Sequence, residues 1–546
     1  MQRPYTNIFS SRSVAFGTKG MVATSEPLAT SAGVNVLKEG GTAIDAAIAA
    51  NAMLGLVEPC SCGVGGDLFA IIWNPKSKKL EAINASGPSS NSIDIDRITK
   101  EYKILPQRGG ITVTVPGCVK GWEYLHQKFG KLDLKEIFKP SINYALDGFP
   151  VSETIAKQWA LESNVLKTYP SFANTYLPNG SPPKAGAIYR NENLAKLYQL
   201  ISSEGLHVFY DSDVSKEIIK SVQKLNGYMT DDDLSGFSPD WIEPVSTKYR
   251  DYDVWEIGPN NQGLTVLQML NILEFFDFHK FDGPCDPRYL HILIEAKRLA
   301  FEDRAKYYSD PKFNDLPIEH LISKGYAEDL AKKINPSKVL KIDPHSPDVN
   351  HGGDTVYLTV ADSDGLMVSL IQSNYRGFGS GVIVEKYGFG LQSRGELFSL
   401  NKNHANRIEK AKRPFHTIIP GFLTKGNVPL FSFGVMGADM QPQGHTQILV
   451  NLIDFGLNIQ QCGDMPRVRH EGSSNPKGEF SISYGKSYSE FSLPKESLDY
   501  LLKLGHNIEY SNDGLFGGYQ SIWRDPDSLV YSGASESRKD GLALGY

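Results

Sequence analysis

Residues 42–59, TAIDAAIAANAMLGLVEP, place the strongest constraint on the fold. A helix here is capped by Thr42 and is apolar on nearly every side, so it has to be buried all round. It is followed by GVGGD and by two strand-like runs, LFAIIWN and KLEAINASG. Helical and strand patterns then alternate along the chain, which predicts stacked sheets covered by helical layers.

Other segments predict individual elements of these layers. TSEPLATSAGVNVLKEGG predicts a helix with Thr24 or Ser25 as its cap, and DPRYLHILIEAKRLAFEDRAKYY is the clearest amphipathic helix. TKYRDYDVWEIG and VPLFSFGVMG are typical of strands, and HTQILVNLIDFGL is typical of a helix.

The bulk properties exclude several classes of protein. At 546 residues the chain exceeds the size at which one hydrophobic core stops growing, so two lobes or one large multilayer body is expected. A net charge of −6 without a dense Lys/Arg stripe disfavours nucleic-acid binding. No apolar run is long enough for a signal segment or a membrane span. These features predict a soluble, cytoplasmic protein whose partners are small molecules or its own subunits.

The five cysteines have no metal-ligand spacing, and they are expected to be reduced core thiols. The chain has no G-x-S-x-G elbow, no H-E-x-x-H and no Cys/His cluster, which disfavours a conventional serine or metal hydrolase. We expect neither a metal nor a cofactor. His445, in QPQGH, is expected to be a helix-start cap or a packing residue.

The stretch HGGDTVYLTVAD, residues 351–362, raises the main functional question. Residues 335–354 have the Pro, His, Asp and Gly content of a surface linker, and they give way at Thr355 to an alternating strand. Thr355 is either an ordinary first strand residue or the point at which the chain cuts itself. The linker would then be the end of a pro-segment.

Cleavage before Thr355 would place a nucleophile and a base on one residue. The freed α-amino group has a reference pKa of about 7.7–8.0, so it can accept the proton of its own side-chain hydroxyl near neutral pH. The same hydroxyl can first attack the carbonyl of Asp354 and move the chain from nitrogen to oxygen. Gly352 and Gly353 allow the tight turn that such an attack requires.

A hairpin count tests whether a second hydroxyl is nearby. TVYLTVA and LMVSLIQS are two strands joined by DSDG. With Ser363 and Asp364 at the turn centre, the residue numbers of two cross-strand partners add up to about 727. This count sets Thr355 opposite Gln372 and beside Ser373. Ser373 could polarise the Thr355 hydroxyl or stabilise its alkoxide, although a solvent-facing strand serine is the simpler interpretation.

Several long motifs stand in a fixed order around this junction. They are MVATSEPLATSAGVNVLKEGGTAIDAAIAANAMLGLVEP with GVGGD, then VPGCVKGW, DTVYLTVADSDG, SNYRGFGSG, KRPFHTIIP, GVMGADMQPQGHTQ and GASESRKDGLALGY. From about residue 15 to its end, the chain resembles the γ-glutamyltranspeptidase family of N-terminal-nucleophile hydrolases.

The resemblance implies an α+β fold, a four-layer αββα sandwich forming one interwoven body. It implies a precursor cut between Asp354 and Thr355 into a large segment, 1–354, and a small segment, 355–546. Thr355 matches the nucleophile, and Ser373 matches its supporting hydroxyl. Gly437 and Ala438 match the two residues whose backbone N–H groups form the oxyanion hole, where small residues allow close approach.

The resemblance breaks down in the pocket for the γ-glutamyl group. Asn84 stands where the family has an arginine for the α-carboxylate, and Leu397 stands where it has an acid for the α-ammonium. The paired serines that hold the carboxylate are replaced by His416 and Thr417. Tyr375 replaces an asparagine of the same pocket.

Arginines lie near the amino end of this pocket. Arg394 corresponds to the region of the glutamyl ammonium, Arg376 is close in sequence, and Glu396 could restore the acid if the register slips by one. We therefore expect an acyl group that lacks the amino function and ends in a carboxylate or another anion held by Arg394. The alternative interpretation is a surface Arg394 paired with Glu396.

The sequence thus predicts a hydrolase that cleaves γ-glutamyl-type amides such as glutathione, or dicarboxylate monoamides such as glutaryl or oxamate amides. The short basic segment between Phe398 and Arg413 suggests an open pocket, which favours water over an amino-acid acceptor. The rival hypothesis is an unprocessed relative that has kept the fold as a binding protein. Assembly of the two segments into larger homo-oligomers is left open.

Overall fold

The computed structural model describes residues 10–341, 353–478 and 484–546. Two seven-stranded sheets lie face to face, and helices cover the outer face of each. The four-layer prediction is confirmed. Most of the predicted pro-segment, together with Gly352, lies outside the described residues.

The first sheet, called the junction sheet, carries the predicted cleavage point and is antiparallel throughout, in the order β21-β2-β10-β11-β3-β4-β7. Its strands are β2 Met21–Thr24, β3 Asp67–Asn74, β4 Lys79–Ala85, β7 Asp240–Ile242, β10 Asp354–Ala361, β11 Met367–Tyr375 and β21 Leu542–Gly545.

The second sheet has the order β1-β20-β19-β15-β14-β9-β8. Its strands are β1 Ala15–Gly17, β8 Val245–Tyr249, β9 Tyr252–Glu256, β14 Gly421–Lys425, β15 Val428–Val435, β19 Tyr519–Arg524 and β20 Tyr531–Ser535. The single strand predicted for TKYRDYDVWEIG is wrong, because the chain reverses at Arg250, which has a left-handed φ of 53°. This segment forms the hairpin of β8 and β9.

Three small sheets pair the short strands β5 Phe149–Pro150 with β6 Ile188–Tyr189, β12 Ile383–Val384 with β13 Phe389–Gly390, and β16 Val468–Glu471 with β17 Lys486–Ser489 and β18 Ile508–Tyr510. Single 3-10 turns occur at Gly110–Thr112, Pro178–Gly180, Phe278–Lys280, Glu385–Tyr387 and Arg394–Leu397.

The first group of helices belongs mainly to the layer outside the junction sheet. They are α1 Pro27–Lys38, α2 Ala43–Val57, α3 Ile95–Glu101, α4 Cys118–Phe129, α5 Leu134–Asp147, α6 Glu153–Leu166, α7 Pro170–Tyr176, α8 Glu192–Glu204, α9 Val208–Asp211, α10 Asp213–Lys224 and α11 Asp231–Ser235. The second group lies outside the second sheet. They are α12 Gly263–Leu273, α13 Pro287–Tyr307, α14 Ile318–Leu321, α15 Lys324–Ala331, α16 Met440–Ile453, α17 Ile459–Asp464 and α18 Lys495–Leu504.

Helix α2 is buried at every position, as its sequence predicts. It begins with a capping box in which Asp45 N donates to Thr42 Oγ1 over 3.2 Å and Thr42 N donates to Asp45 Oδ2 over 2.9 Å. The predicted cap of α1 is wrong. Glu26 precedes Pro27 at the helix start, and Thr24 Oγ1 instead donates to the Glu26 carbonyl over 2.7 Å.

The hairpin of β10 and β11 is shifted by one residue from the count made on the sequence. Gly365, with φ 86°, adds a third residue to the loop. The loop is therefore closed by Asp362 rather than Ser363, and the backbone N–H of Asp362 donates to the Leu366 carbonyl. The residue numbers of cross-strand partners therefore add up to 728, as for Val356 and Gln372. The register shifts again at the start of β10, where a bulge opposes Thr355 with both Ser373 and Asn374.

Alternation along β10 decides which way Thr355 faces. Val356, Leu358 and Val360 pack under the helices on the outer side. Tyr357 packs between the sheets, and Thr359 Oγ1 lies 2.6 Å from Ser432 Oγ of the second sheet. By the two-residue period of a strand, Thr355 belongs to this inner face.

Two further observations concern the whole described chain. All five cysteines have free thiols; Cys285 is half-buried and the others are buried. Among the described residues, no helix is both long enough and apolar enough to cross a membrane.

Candidate active site

Thr355 and Ser373 form a short hydrogen-bonded chain at the predicted cleavage point. Thr355 Oγ1 donates to Ser373 Oγ over 3.3 Å, and Ser373 Oγ donates to the Asp354 carbonyl oxygen over 2.7 Å. The backbone N–H of Tyr375 donates to Ser373 Oγ over 2.8 Å and holds it in place. Both hydroxyls are buried, with Thr355 2% exposed and Ser373 0% exposed. The β11 bulge thus brings the two hydroxyls together, as the hairpin count expects despite its error of one.

Gly437 and Ala438 form a loop between β15 and α16 at the same end of the sheets. Both have left-handed backbones, with φ of 116° and 49°. That conformation costs Ala438 on the order of 1 kcal/mol, so the surroundings must impose it. Neither backbone N–H donates a hydrogen bond to another described residue, while both carbonyls accept one. The loop therefore presents two free donors.

Side chains behind this loop fix its orientation. Gln262 Nε2 donates to the Ala438 carbonyl over 3.0 Å and to the Thr417 carbonyl over 2.5 Å. Arg304 Nη1 in turn donates to Gln262 Oε1 over 2.6 Å and to Asp439 Oδ1 over 2.7 Å. The loop is thereby tied to the segment that carries Thr417.

Gly353, just before the predicted cleavage point, passes close to this loop. A Cβ placed on Gly353 would lie 3.1 Å from Ala438 Cβ and 3.2 Å from the ring of Tyr375. Residues larger than glycine would press on both neighbours. Tyr375 has a left-handed φ of 74°, which turns its ring away from the regular path of β11.

The charge of a lysine that sequence reasoning missed, Lys539, acts on the Asp354 side chain. Burial raises the pKa of Asp354 to about 6, and the charge of Lys539 opposes this rise. Lys539 Nζ lies 3.6 Å from Glu58 Oε1. Lys539 belongs to the closing motif GASESRKDG, but its sequence gives no sign that it reaches the cleavage point.

Arg394 is fully buried beside Tyr375, so the surface interpretation is wrong. Its Nη1 donates to Thr417 Oγ1 over 2.8 Å, and its Cζ lies 4.7 Å from the centre of the Tyr375 ring. Its Nε and Nη2 are buried and have no hydrogen-bond partner among the described residues. Burial lowers the pKa of Arg394 to about 10, so the group stays a cation at neutral pH. It therefore has two N–H groups to offer a ligand.

Glu396 does not pair with Arg394. It accepts from Arg376, with Nη2 at 2.9 Å from Oε1, and from Lys477 Nζ at 2.9 Å. Burial alone would raise the pKa of Glu396, but these two cations hold it below its ordinary value. Leu397 is buried in the core beneath the second sheet.

Asn84 and His416 are each hydrogen-bonded within the protein. Asn84 Nδ2 donates to Asn260 Oδ1 over 2.9 Å, and Asn84 Oδ1 accepts from Ser86. His416 Nε2 lies 3.0 Å from Asp67 Oδ2, while its Nδ1 is buried without a partner in the described chain. Burial lowers the pKa of His416 far below its ordinary value, so the ring is neutral.

Asp67 is the second residue that sequence reasoning missed. It is the last residue of GVGGD, begins β3 and pairs across the sheet with Ser373. It is 0% exposed, and its Oδ2 lies 3.9 Å from Arg394 Nε. Burial raises its pKa to about 7 against the opposing charge of Arg394. A lone acid entering an apolar strand was the available signal.

A group of potential metal ligands lies on other elements. His291, Glu295 and His506 bring ligand atoms within 4.8 Å of one another. His291 Nδ1 lies 2.7 Å from His506 Nε2, and Glu295 accepts from Arg298 Nη1 over 2.9 Å and from the backbone N–H of Leu340 over 3.0 Å. The two histidines therefore bond each other, and Glu295 is held by Arg298 and Leu340.

Comparison with known proteins places the chain in a family. The gamma-glutamyltranspeptidase family model matches residues 29–546. The glutathione hydrolase-like YwrD proenzyme of Bacillus subtilis is 36% identical over 537 residues, covering 97% of this chain and 99% of that protein. The oxamate amidohydrolase proenzyme of Klebsiella pneumoniae is 30% identical, covering 97% and 99%. The crystal structure of cephalosporin acylase from Bacillus halodurans superposes with a TM-score of 0.91 at 40% identity, covering 100% of this chain and 98% of that one. The chain therefore belongs to the γ-glutamyltranspeptidase family of N-terminal-nucleophile hydrolases.

Proposed function

We propose that this protein is an autoprocessing amidohydrolase whose nucleophile and base are the hydroxyl and the freed α-amino group of Thr355. The observation that carries the proposal is the chain of hydrogen bonds from Thr355 Oγ1 through Ser373 Oγ to the Asp354 carbonyl. It joins the attacking oxygen to the bond that must break. The relatives named as proenzymes support a precursor that is cut into two fragments.

This geometry supports a route for autoprocessing. Thr355 Oγ1 attacks the carbonyl carbon of Asp354 and gives up the proton that its own α-nitrogen takes, while the Ser373 hydroxyl donates to the carbonyl oxygen and stabilises its growing charge. The C–N bond breaks, the α-nitrogen takes a proton, and Asp354 is left as an ester on Oγ1. Water hydrolyses the ester, which gives a carboxylate on Asp354 and a free amine on Thr355.

The cut protein would use the same groups on its substrate. The α-amino group of Thr355 accepts the proton of Oγ1 as that oxygen attacks the amide carbon, and the N–H groups of Gly437 and Ala438 stabilise the oxyanion. The leaving amine departs with a proton, and water then releases the acyl group. The free N–H groups and imposed φ angles of the loop support this role.

The acyl pocket favours a substrate with a terminal anion and no α-ammonium. Arg394 offers two N–H groups, whereas Glu396 is occupied by Arg376 and Lys477. An ammonium placed here would lack a charge-assisted hydrogen bond worth roughly 1.5–3 kcal/mol. Dicarboxylate monoamides, such as glutaryl, succinyl or oxamate amides, fit this charge pattern better than γ-glutamyl amides. Similarity to a cephalosporin acylase and an oxamate amidohydrolase agrees with it.

We expect hydrolysis to exceed transfer to an amine, because the segment between Phe398 and Arg413 is too short for a long lid. The partners that this reaction needs are a small-molecule amide substrate, water and the two fragments of the precursor.

Denaturing electrophoresis with sequencing of the fragments tests the proposal. Wild-type protein should give two fragments with Thr355 at the new N-terminus, and Thr355→Ala should remain one inactive chain. Thr359→Ala is the matched control, because it removes the same side chain from the same face of β10 and should still be cut. An intact wild-type chain that stays intact on incubation would favour the rival function, an unprocessed binding protein.

A substrate panel on processed protein tests the acyl class. Glutaryl, succinyl and oxamate amides should be hydrolysed faster than the γ-glutamyl anilide. Faster turnover of the γ-glutamyl anilide would contradict the assignment of the pocket while leaving the role of Thr355 intact.

A further inference from the structure

Asp67 has no role in the reaction steps above, although it lies among the groups that form the acyl pocket. It faces Ser373 across the junction sheet, lies 3.0 Å from His416 Nε2, and lies 3.9 Å from Arg394 Nε. All three side chains of this group, Asp67, His416 and Arg394, are 0% exposed. We call them the Asp67 group.

The Asp67 group contains unused hydrogen-bonding atoms. Arg394 Nε, Arg394 Nη2 and His416 Nδ1 are buried and have no partner among the described residues. Buried polar atoms of native proteins are almost always satisfied, so this concentration points to a polar ligand that completes the group. A guanidinium with two free N–H groups matches a carboxylate.

An anion bound here changes the charge balance of the group. Without ligand, Arg394 is balanced by Asp67 when Asp67 is ionised. A ligand carboxylate would add a second negative charge to a space that excludes water, where like charges strongly disfavour each other. Protonation of Asp67 removes this conflict and leaves Arg394 to pair with the ligand alone.

We propose that Asp67 is a specificity-determining positioning residue that takes up one proton from solvent when the anionic end of the acyl group binds to Arg394. This inference rests on the proposed function, since it assumes that the acyl group ends in an anion. The proton is gained by a carboxylate oxygen of Asp67, and no covalent bond changes. The protonated carboxyl can then donate to His416 Nε2, so that the neutral ring carries its own proton on Nδ1.

The surroundings of Asp67 suit it to this exchange. Oδ1 accepts from the backbone N–H of Gly87 over 3.1 Å. The charged or titratable groups that face Asp67 are Arg394, Arg413, His416, Cys118 and Tyr210. The arginines stay charged, His416 stays neutral, and burial raises the pKa of Cys118 and Tyr210 far above neutrality. Within this set only Asp67, with a pKa of about 7, titrates near neutral pH.

The sign of the effect on binding follows by linkage. Below pH 7 Asp67 already holds its proton, so anion binding does not depend on pH. Above pH 7 the proton must be taken up on binding, so the inhibition constant of an anion rises by up to about tenfold per pH unit. The rise ends where the pKa of Asp67 in the complex is reached.

The experiment uses processed wild-type protein with glutarate as a competitive inhibitor from pH 6 to pH 9. A competitive constant reports binding rather than turnover, and the Asp67→Asn variant, which keeps the Thr355 amine, separates the titration of Asp67 from that of the amine. We expect the inhibition constant to rise by about tenfold between pH 7 and pH 8.5. Calorimetry at pH 8 in two buffers of different ionisation enthalpy should show uptake of close to one proton.

Asp67→Asn should abolish both effects and bind glutarate more tightly than wild type at pH 8.5, because the competing charge is gone. A residue that only supports the fold would weaken binding instead. Asp362→Asn is the control, since Asp362 is another buried carboxyl whose pKa is raised by burial, in the β10–β11 loop, and this variant should keep the wild-type profile.

The outcomes distinguish this inference from the proposed function. Glutarate binding with a flat pH profile and no proton uptake would overturn the role of Asp67 and leave the acyl class standing. Failure of glutarate to bind at any pH would overturn the acyl class itself. Should Asp67→Asn not fold, Asp67→Ser, which also removes the carboxyl and keeps the Thr355 amine, takes its place in both measurements.

Discussion

Replacing Arg394 with methionine separates the charge of the acyl pocket from its volume. The Nε and Nη2 groups of Arg394 have no hydrogen-bond partner in the described chain, so both can bond the terminal carboxylate of a glutaryl group. One charge-assisted hydrogen bond contributes roughly 1.5–3 kcal/mol, which corresponds to roughly 10- to 150-fold in rate. Two bonds to one ligand are not additive. We expect kcat/KM for glutaryl anilide to fall on the order of 100-fold.

The assay compares glutaryl anilide with butyryl anilide, which has the same carbon chain without the carboxylate. The methionine variant should lose the preference for glutaryl and hydrolyse the butyryl compound at least as fast as wild type. Arg413→Met is the matched control, because the Nε of Arg413 already donates to the Ser86 carbonyl over 2.8 Å and its Nη1 to Asp240. That variant should be less stable and keep its selectivity. Equal losses on both substrates in the Arg394 variant would refute the reasoning.

Three further changes test other parts of the site. Ser373→Ala removes the donor to the Asp354 carbonyl, so we expect uncut chain to accumulate over a time course on denaturing gels; cutting at the wild-type rate would contradict the role of Ser373. Lys539→Met leaves the buried Glu58 without its paired cation, which should lower the free energy of unfolding by about 3–5 kcal/mol, and adding Glu58→Gln should recover part of the loss in urea denaturation. Glu396→Gln removes the partner of Arg376 and Lys477 and should destabilise the protein at pH 7 without changing acyl preference. Because the pKa of Glu396 is held below its ordinary value, wild type should lose this advantage as the pH falls below about 4, and a stability gap that persists in acid would contradict the assignment.

The sequence was most informative where function depends on neighbours in the chain. The change from linker to strand correctly indicated that a strand begins at this junction, and the hairpin count brought Ser373 within reach of Thr355 because the two strands are joined by a short loop. The count failed by one residue because Gly365 can adopt a φ that the turn signature does not specify. The helix α2 was predicted with its cap because both the cap and the apolar faces are local patterns.

Long-range contacts set the limit of prediction. Asp67 is more than 300 residues from Arg394 and His416 in the sequence, and only the tertiary fold brings them together. Arg394 and Glu396 are neighbours in the sequence yet have different partners, because the 3-10 turn that contains both directs them to opposite surroundings. Lys539 reaches Glu58 across almost the whole length of the chain, which no local pattern encodes.

The strand order of the junction sheet has a consequence for the behaviour of the cut protein in solution. Strands β10, β11 and β21 lie almost wholly on the C-terminal side of the predicted cleavage point, and β2 from the other side lies between β21 and β10, while β3, β4 and β7 complete the sheet beside β11. Neither polypeptide has a complete sheet of its own, so the two would stay entwined after the bond is broken. Renaturation would then become a second-order reaction that slows on dilution, whereas the uncut chain would refold at a rate independent of concentration.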